Sequence, residues 1–155
     1  MVSAGVLIAY GVRSDGYRET LDVRVADTES RATYEELFAD LKARGLSGVV
    51  LVTSDAHEGL KAAVARHFQG ASWQRCLVHF TRDLTEKIAF ARCKEFVADL
   101  REVFAASDRA AAPTVAARIA DKWRPTHPKV AGAIDEHIEE CLTALAFPAA
   151  HRRRF

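Results

Sequence analysis

The sequence predicts an α/β fold in its first half, followed by an all-helical segment. Strand-like and helical segments alternate through residues 1–75, an order typical of a sheet packed against helices. From residue 76 onward, apolar side chains recur at the 3.6-residue spacing of amphipathic helices. We therefore predict an α/β core portion at residues 1–75 and a helical segment at residues 76–155 that packs on it.

The chain should begin with a β-hairpin formed by residues 5–12 and 17–25. Asp15-Gly16 marks the turn, because Gly accepts the positive φ that tight hairpin turns require. The first strand, GVLIAYGV, is apolar on both faces, so we expect it inside a sheet covered on each side. Alternation in the second strand predicts that its apolar side chains share one face: Leu21, Val23 and Val25.

Further elements follow in α/β order. A helix that starts within residues 27–30 should end near Gly45, where a C-terminal cap is expected. The run GVVLVTSD at 48–55 predicts a buried strand, followed by a helix from about Ala56, and Ser72–Arg75 fits one more short strand. Four apolar stripes then predict helices, the last two with a proline in the first turn: Pro113 and Pro128.

Composition excludes several classes of protein. The 155 residues carry 22 Lys+Arg against 21 Asp+Glu, a net charge of +1, which removes the argument for a strongly basic nucleic-acid arm or an acidic tail, so any polyanion site must be local. Three widely spaced cysteines indicate reduced thiols and not a disulfide framework: Cys76, Cys93 and Cys141. No apolar run reaches the ~20 residues of a membrane span, so we expect a cytoplasmic protein with no membrane partner.

Asp55 is the first candidate for chemistry, because it closes a predicted strand and precedes a helix. Carboxylates at the carboxyl ends of strands in α/β sheets are well placed to bind Mg²⁺ or a ligand. A second interpretation is that Asp55, or Ser54 beside it, only caps the following helix. The position alone favours the cap.

Cys76 and His79 lie three residues apart at the start of a predicted helix and share one of its faces. A metal site there would need two further ligands, and a Cys-His nucleophile pair has no other support in the sequence. The simpler interpretation is that Cys76 is a small buried hydrophobe and His79 a structural hydrogen-bonding group.

Several other side chains are candidates for contact with phosphate or nucleotide. His57 could assist at a phosphate or be a solvated residue of a first helical turn. Trp73, Gln74 and Arg75 could reach a nucleotide by stacking and charge. Alternatively, Trp73 fills the core and Arg75 extends its charged end to solvent, and we favour this interpretation for Trp73. A small basic cluster near the end of the chain either touches phosphates or is solvated: Arg152, Arg153 and Arg154.

Taken together, two segments resemble the mutator-type bacterial insertion-sequence transposases: SDAHEGLKAAV at 54–64 and GASWQRCLVHFTRDL at 70–84. The stretches VLIAYGVRSDGYRETLDVRVADTES, KARGLSGVVLVTSD and FPAAHRRRF resemble the same family in order and spacing. The resemblance implies a ribonuclease H-like core with a DDE triad, in which two Mg²⁺ ions clamp the attacking and leaving oxygens of a phosphodiester. It also implies DNA, at the transposon ends, as the partner.

Residue by residue, the resemblance makes Asp55 the second Asp of the triad and a metal ligand, and it assigns Cys76 and His79 to the family's C-x-x-H motif. The family's first Asp and final Glu belong to segments upstream and downstream of this one. We therefore expect a fragment of a catalytic domain that does not cut or join DNA alone. Two alternatives remain: a dimerisation or inhibitory module that acts on full-length transposase, and, ranked last and independent of the resemblance, a small α/β hydrolase or phosphatase that uses Asp55 and His57.

Overall fold

The computed structural model describes residues 5–26 and 30–148. The chain forms two compact units that divide between Trp73 and Gln74. The elements up to that division are β1 Gly5–Val12, β2 Arg18–Ala26, α1 Arg31–Ala43, β3 Leu51–Ser54, α2 Glu58–His67 and β4 Ser72–Arg75, which crosses it. Then follow α3 Leu77–Thr85, α4 Phe90–Phe104, α5 Ala112–Trp123, α6 Pro128–His137 and two 3₁₀ turns, Ile138–Cys141 and Thr143–Ala146.

The α/β class is confirmed, with two small sheets and six α-helices in the described ranges. β1 pairs with β2, and β3 pairs with β4. The predicted hairpin is also confirmed: β1 and β2 are antiparallel, and Gly16 has the positive φ of 88° that the turn requires. No helix in the described part of the chain is long and apolar enough to span a membrane.

The predicted alternation of β2 is wrong, because the hairpin contains a β-bulge. Ala9 pairs with Asp22 and Tyr10 with Thr20, so Leu21 is an extra residue in its strand. An extra residue reverses the side-chain alternation beyond it. Leu21 consequently packs against the apolar core of the first unit, whereas Val23 and Val25 are exposed.

The expectation that β1 is covered on both faces is also wrong for the structure described. One face of β1 packs on the core of the first unit through Leu7 and Ala9. The other face of the hairpin is exposed although its side chains are large and apolar: Val6, Ile8, Tyr10, Val12, Val23 and Val25. An apolar sheet face in water is uncommon in a complete folded unit and indicates a surface that another element covers.

Helix α1 supplies much of the first unit's core and has the ends that the sequence predicts. The Ser30 hydroxyl accepts a hydrogen bond from the Thr33 N–H, which caps the first turn. Gly45, at φ 103°, ends the helix, and Leu46 N–H donates to the Leu41 carbonyl. The buried side chains of this core come from α1, α2 and the residue after α2: Tyr34, Leu37, Phe38, Leu41, Ala63, Val64 and Phe68.

The second unit is a set of packed helices around Trp123, which is completely buried. The predicted stripes become its core, and Pro113 and Pro128 lie in the first turns of α5 and α6, as predicted. Phe96 of α4 packs edge-on against the Trp123 ring at 5.1 Å between centroids. The Trp123 indole N–H donates to Asp99 at 2.8 Å, so its one polar atom is satisfied.

Gly59 and Gly132, both in helices, should respond in opposite ways to alanine. A Cβ on Gly59 would lie 2.9 Å from the His57 ring and 3.0 Å from the backbone nitrogen of Arg31, so we expect Gly59→Ala to cost about 1–3 kcal/mol. A Cβ on Gly132 would meet nothing within 4 Å, so Gly132→Ala should stabilise by about 0.5–1 kcal/mol. Hydrogen exchange of α2 and α6 amides measures each effect locally, and a stabilising Gly59→Ala would contradict this packing.

Candidate functional site

Asp55 lies directly after β3 and before α2, where the sequence places it, and its side chain is half-buried. Helix α2 begins at Glu58, two residues later than predicted. Its N-cap is His57, whose Nδ1 accepts a hydrogen bond from the Gly59 N–H at 3.1 Å. The interpretation of Asp55 or Ser54 as the cap is therefore wrong, because His57 occupies that role.

The backbone around Asp55 is held by its neighbours. The Ser54 hydroxyl donates to the Asp55 carbonyl oxygen at 2.7 Å and accepts from the Trp73 indole N–H at 2.9 Å. The Asp55 carboxylate itself makes no hydrogen bond or ion pair with any described residue. A half-buried carboxylate that neither caps a helix nor pairs with a cation keeps both of its oxygens available to a ligand.

A carboxylate at the end of a strand fits a hard divalent cation, because Mg²⁺ prefers oxygen ligands. Residues 5–26 and 30–148 contain no group of three His, Cys, Asp or Glu side chains arranged to hold a metal ion. Asp55 is thus a donor of the right chemistry that lacks the further carboxylates a two-metal site needs.

Cys76 and His79 belong to the second unit. Cys76 is the N-cap residue of α3, but its thiol makes no capping hydrogen bond. His79 lies on the first turn of that helix, and its Nδ1 is buried without a hydrogen-bond partner in the described structure. The assignment of His79 as a structural hydrogen-bonding group is therefore not supported at Nδ1, and the C-x-x-H motif remains a prediction without an observed role.

Cys141 behaves as a buried hydrophobe. It is almost fully buried in the core of the second unit. Burial raises the pKa of the Cys141 thiol to about 12, so the thiol stays protonated at neutral pH. Cys141 is consequently no candidate for a nucleophile.

Arg75 has more partners than the sequence predicted. Its guanidinium is only 14% exposed and lies 3.4 Å from a carboxylate oxygen of Glu140 and 3.6 Å from one of Asp83. It also lies over the Phe80 ring, 5.1 Å from the centroid. A DNA phosphate would have to compete with two carboxylates for this cation, and the predicted DNA contact stays a prediction.

Sequence reasoning missed the pairing of Arg75 with Glu140 because Glu140 comes from a distant part of the chain. Glu140 is 65 residues away, and the neighbouring Gln74, 2% exposed, accepts the Ala144 N–H at 2.6 Å. A cavity of about 310 Å³ lies beside Arg75, and its lining includes Asp83, Lys87 and His137. No local spacing signals such long-range pairs, so only the fold could find them.

The remaining candidates for phosphate or nucleotide contact are His57, Trp73, Arg152 and Arg153. The His57 ring lies edge-on to Tyr34 at 5.4 Å between centroids. Trp73 packs against the core of the first unit, as its core interpretation predicts, and Lys61 lies 4.5 Å from its ring centroid. Arg152 and Arg153 lie outside the described residues, so their predicted DNA contacts stay predictions.

The first unit thus belongs to the class of α/β folds that present a carboxylate at the end of a strand. Residues 1–155 match the family described as "Transposase, Mutator family". The chain belongs to this family.

Curated relatives agree with this family. The transposase for insertion sequence element ISRM5 of Rhizobium meliloti (strain 1021) is 36% identical over 153 residues, which are 99% of this chain and 38% of the relative. The IS406 transposase of Burkholderia multivorans is 36% identical over 155 residues, 99% of this chain and 40% of the relative. The IS256 transposase of transposon Tn4001 in Staphylococcus aureus is 32% identical over 155 residues. The chain spans about two-fifths of the length of these relatives.

Proposed function

We propose that this chain is part of the catalytic region of a mutator-type transposase and that Asp55 is its second catalytic carboxylate. The observation that carries the proposal is the Asp55 carboxylate, which lies at the end of β3 free of any bond to a described residue. A capping or ion-paired Asp would have a structural reason to be there. Asp55 does not cap α2, because His57 is the N-cap residue, and no cation among the described residues pairs with its carboxylate.

Asp55 would hold a divalent cation together with further carboxylates that residues 5–26 and 30–148 do not bring to it. When bound, such ions stabilise the attacking and leaving oxygens of an in-line phosphoryl transfer. The residues around Asp55 position it: Ser54 and Trp73 fix the end of β3, and the His57 cap fixes the start of α2. The carboxylate therefore sits on a rigid strand end, as an ordered metal ligand requires.

A ribonuclease H-like core is consistent with the first unit but needs one more strand. Two two-stranded sheets contribute to one apolar core, β1 and β2 through Leu7, Ala9 and Leu21, and the other sheet through Val52 and Trp73. In the described structure, each strand of these sheets has one edge that pairs with no other strand. We propose that a strand supplied by the rest of a longer transposase pairs with both sheets and brings the first Asp beside Asp55.

The isolated chain should neither cut nor join DNA. One carboxylate cannot hold two Mg²⁺ ions in the near-octahedral geometry they demand. In a nicking and strand-transfer assay with Mg²⁺ or Mn²⁺, we expect no product above a protein-free blank. Cleavage that disappeared in Asp55→Ala would show a complete active site in this chain and overturn the proposal.

The exposed face of the β-hairpin favours a second candidate, a dimerisation or inhibitory module that acts on full-length transposase. Six apolar side chains on that face offer a surface that a second polypeptide could cover. The same assay distinguishes the two candidates when the chain is added to an active full-length transposase. An inhibitory module lowers product formation in proportion to its concentration, whereas a catalytic fragment without that role leaves it unchanged.

A further inference from the structure

The side chain of Phe90 is 96% exposed, the largest value for any large apolar side chain in the described ranges. It begins the fifteen-residue helix α4, whose opposite side packs into the core of the second unit through Phe96, Leu100 and Val103. Burying a Phe contributes about 1.5–3 kcal/mol to folding, and Phe90 contributes none of this. The Phe90 ring is therefore free to contact a partner.

Two cations share the helix face of Phe90. Lys94 and Arg101 follow it at i+4 and i+11, which at 100° per residue places all three on one side of α4. Both side chains are exposed, and neither makes an ion pair with a described residue. We call these three side chains the Phe90 face.

The acidic residues of α4 lie on its other side and are already neutralised. Glu95 pairs with Arg92 and Lys122, Asp99 with Lys122, and Glu102 with Arg118. Hydrogen bonds from Lys122 and Arg92 hold the pKa of Glu95 below its usual value. The nearest exposed acid before the helix is Glu86, in the turn between α3 and α4. The Phe90 face therefore carries an aromatic ring and two unpaired positive charges with no carboxylate among them.

We propose that the Phe90 face binds a DNA strand, with an unpaired base stacked on Phe90 and phosphates at Lys94 and Arg101. Charge complementarity selects a polyanion, and every base has a face that can stack on an aromatic ring. Lys94 and Arg101 are about 10 Å apart along the helix, so each can contact a different phosphate of one strand. The proposal deepens the proposed function, since it rests on DNA as the partner and assigns a contact surface outside the carboxylate site.

The test is binding of a fluorescently labelled single-stranded 20-mer by the whole chain at low salt, followed by anisotropy. Phe90→Ala should weaken binding about tenfold, the value of one stacked base. Lys94→Gln and Arg101→Gln should each lower the slope of log K against log salt by about 0.7. Matched controls are Val78→Ala, another exposed apolar side chain, and Lys129→Gln, an exposed cation on α6 without an ion pair in the described chain. Both controls should bind like the wild type.

A second readout follows the stacked base directly. With 2-aminopurine in the oligonucleotide, stacking on Phe90 should quench the base's fluorescence in the wild type and not in Phe90→Ala. No binding by the wild type, equal losses in the controls, or unchanged binding by Phe90→Ala would each overturn the proposal. If the oligonucleotide is not bound and Phe90→Ala instead dissociates an oligomer, the face is a protein interface. Binding to the Phe90 face is measured on this chain without a divalent metal, whereas the catalytic proposal is tested by metal-dependent cleavage, so failure here is distinct from failure of the catalytic proposal.

Discussion

Asp55→Asn in a full-length transposase that contains this segment is expected to reduce DNA cleavage and strand transfer by more than about a hundredfold. Groups that merely orient a metal ligand change affinity or activity by 10–100-fold when removed, and a direct ligand should matter more. Asn keeps the size and shape of the side chain but loses the negative charge that a divalent cation needs. Cleavage of a labelled transposon end measures the effect.

Glu58→Gln is the matched control for this prediction. Glu58 is three residues beyond Asp55, is highly exposed and pairs only with Lys61 of its own helix in the described structure. Surface pairs of this kind contribute little to stability, so this variant should cleave DNA at the wild-type rate. Equal losses in the two variants would mean that general acidity near α2, and not metal binding at Asp55, explains the effect.

Trp123→Ala should produce the largest loss of stability in the second unit, about 3–5 kcal/mol. The ring is completely buried against Phe96, and Arg92 lies 4.3 Å from its centroid. Truncation leaves a cavity and removes one hydrogen bond to Asp99. Hydrogen exchange of the α4–α6 amides reads this local free energy of unfolding without relying on tryptophan fluorescence.

Two further variants serve as controls for the size of the loss in Trp123→Ala. Trp123→Phe keeps most of the ring, and Asp99 keeps its 2.6 Å contact with Lys122, so the cost should be well below that of alanine. Phe90→Ala removes an exposed ring and should change stability by less than about 0.5 kcal/mol. A Trp123→Ala protein with wild-type protection of α4–α6 would contradict the packing described for this unit.

Most of the helical unit could be predicted from sequence, because its signal is local. The 3.6-residue stripes mark the faces that become buried, and a proline in a first turn marks where α5 and α6 begin. The hairpin was predictable only in part. Asp15-Gly16 fixes the turn, but the bulge at Leu21 depends on pairing between strands, which alternation within one strand does not contain.

The candidate site was likewise predictable only where its signal is local in sequence. Motif spacing draws attention to Asp55, yet whether it caps a helix depends on where α2 begins, and His57 takes that role by a side-chain geometry that propensities do not encode. The partners of Arg75 come from more than sixty residues away and from the next helix. The exposure of Phe90 depends on which other elements pack against the first turn of α4, and no local pattern contains that information.

The most direct test of Asp55 as a metal ligand is cleavage by the Asp55→Cys variant of a full-length transposase that contains this segment, measured in Mg²⁺ and in Mn²⁺. A thiolate is a poor ligand for the hard Mg²⁺ ion and is better tolerated by Mn²⁺. If Asp55 binds the metal, the variant is inactive in Mg²⁺ and recovers cleavage in Mn²⁺, while the wild type and Glu58→Gln cleave in both. Full activity of the variant in both metals would contradict ligation by Asp55.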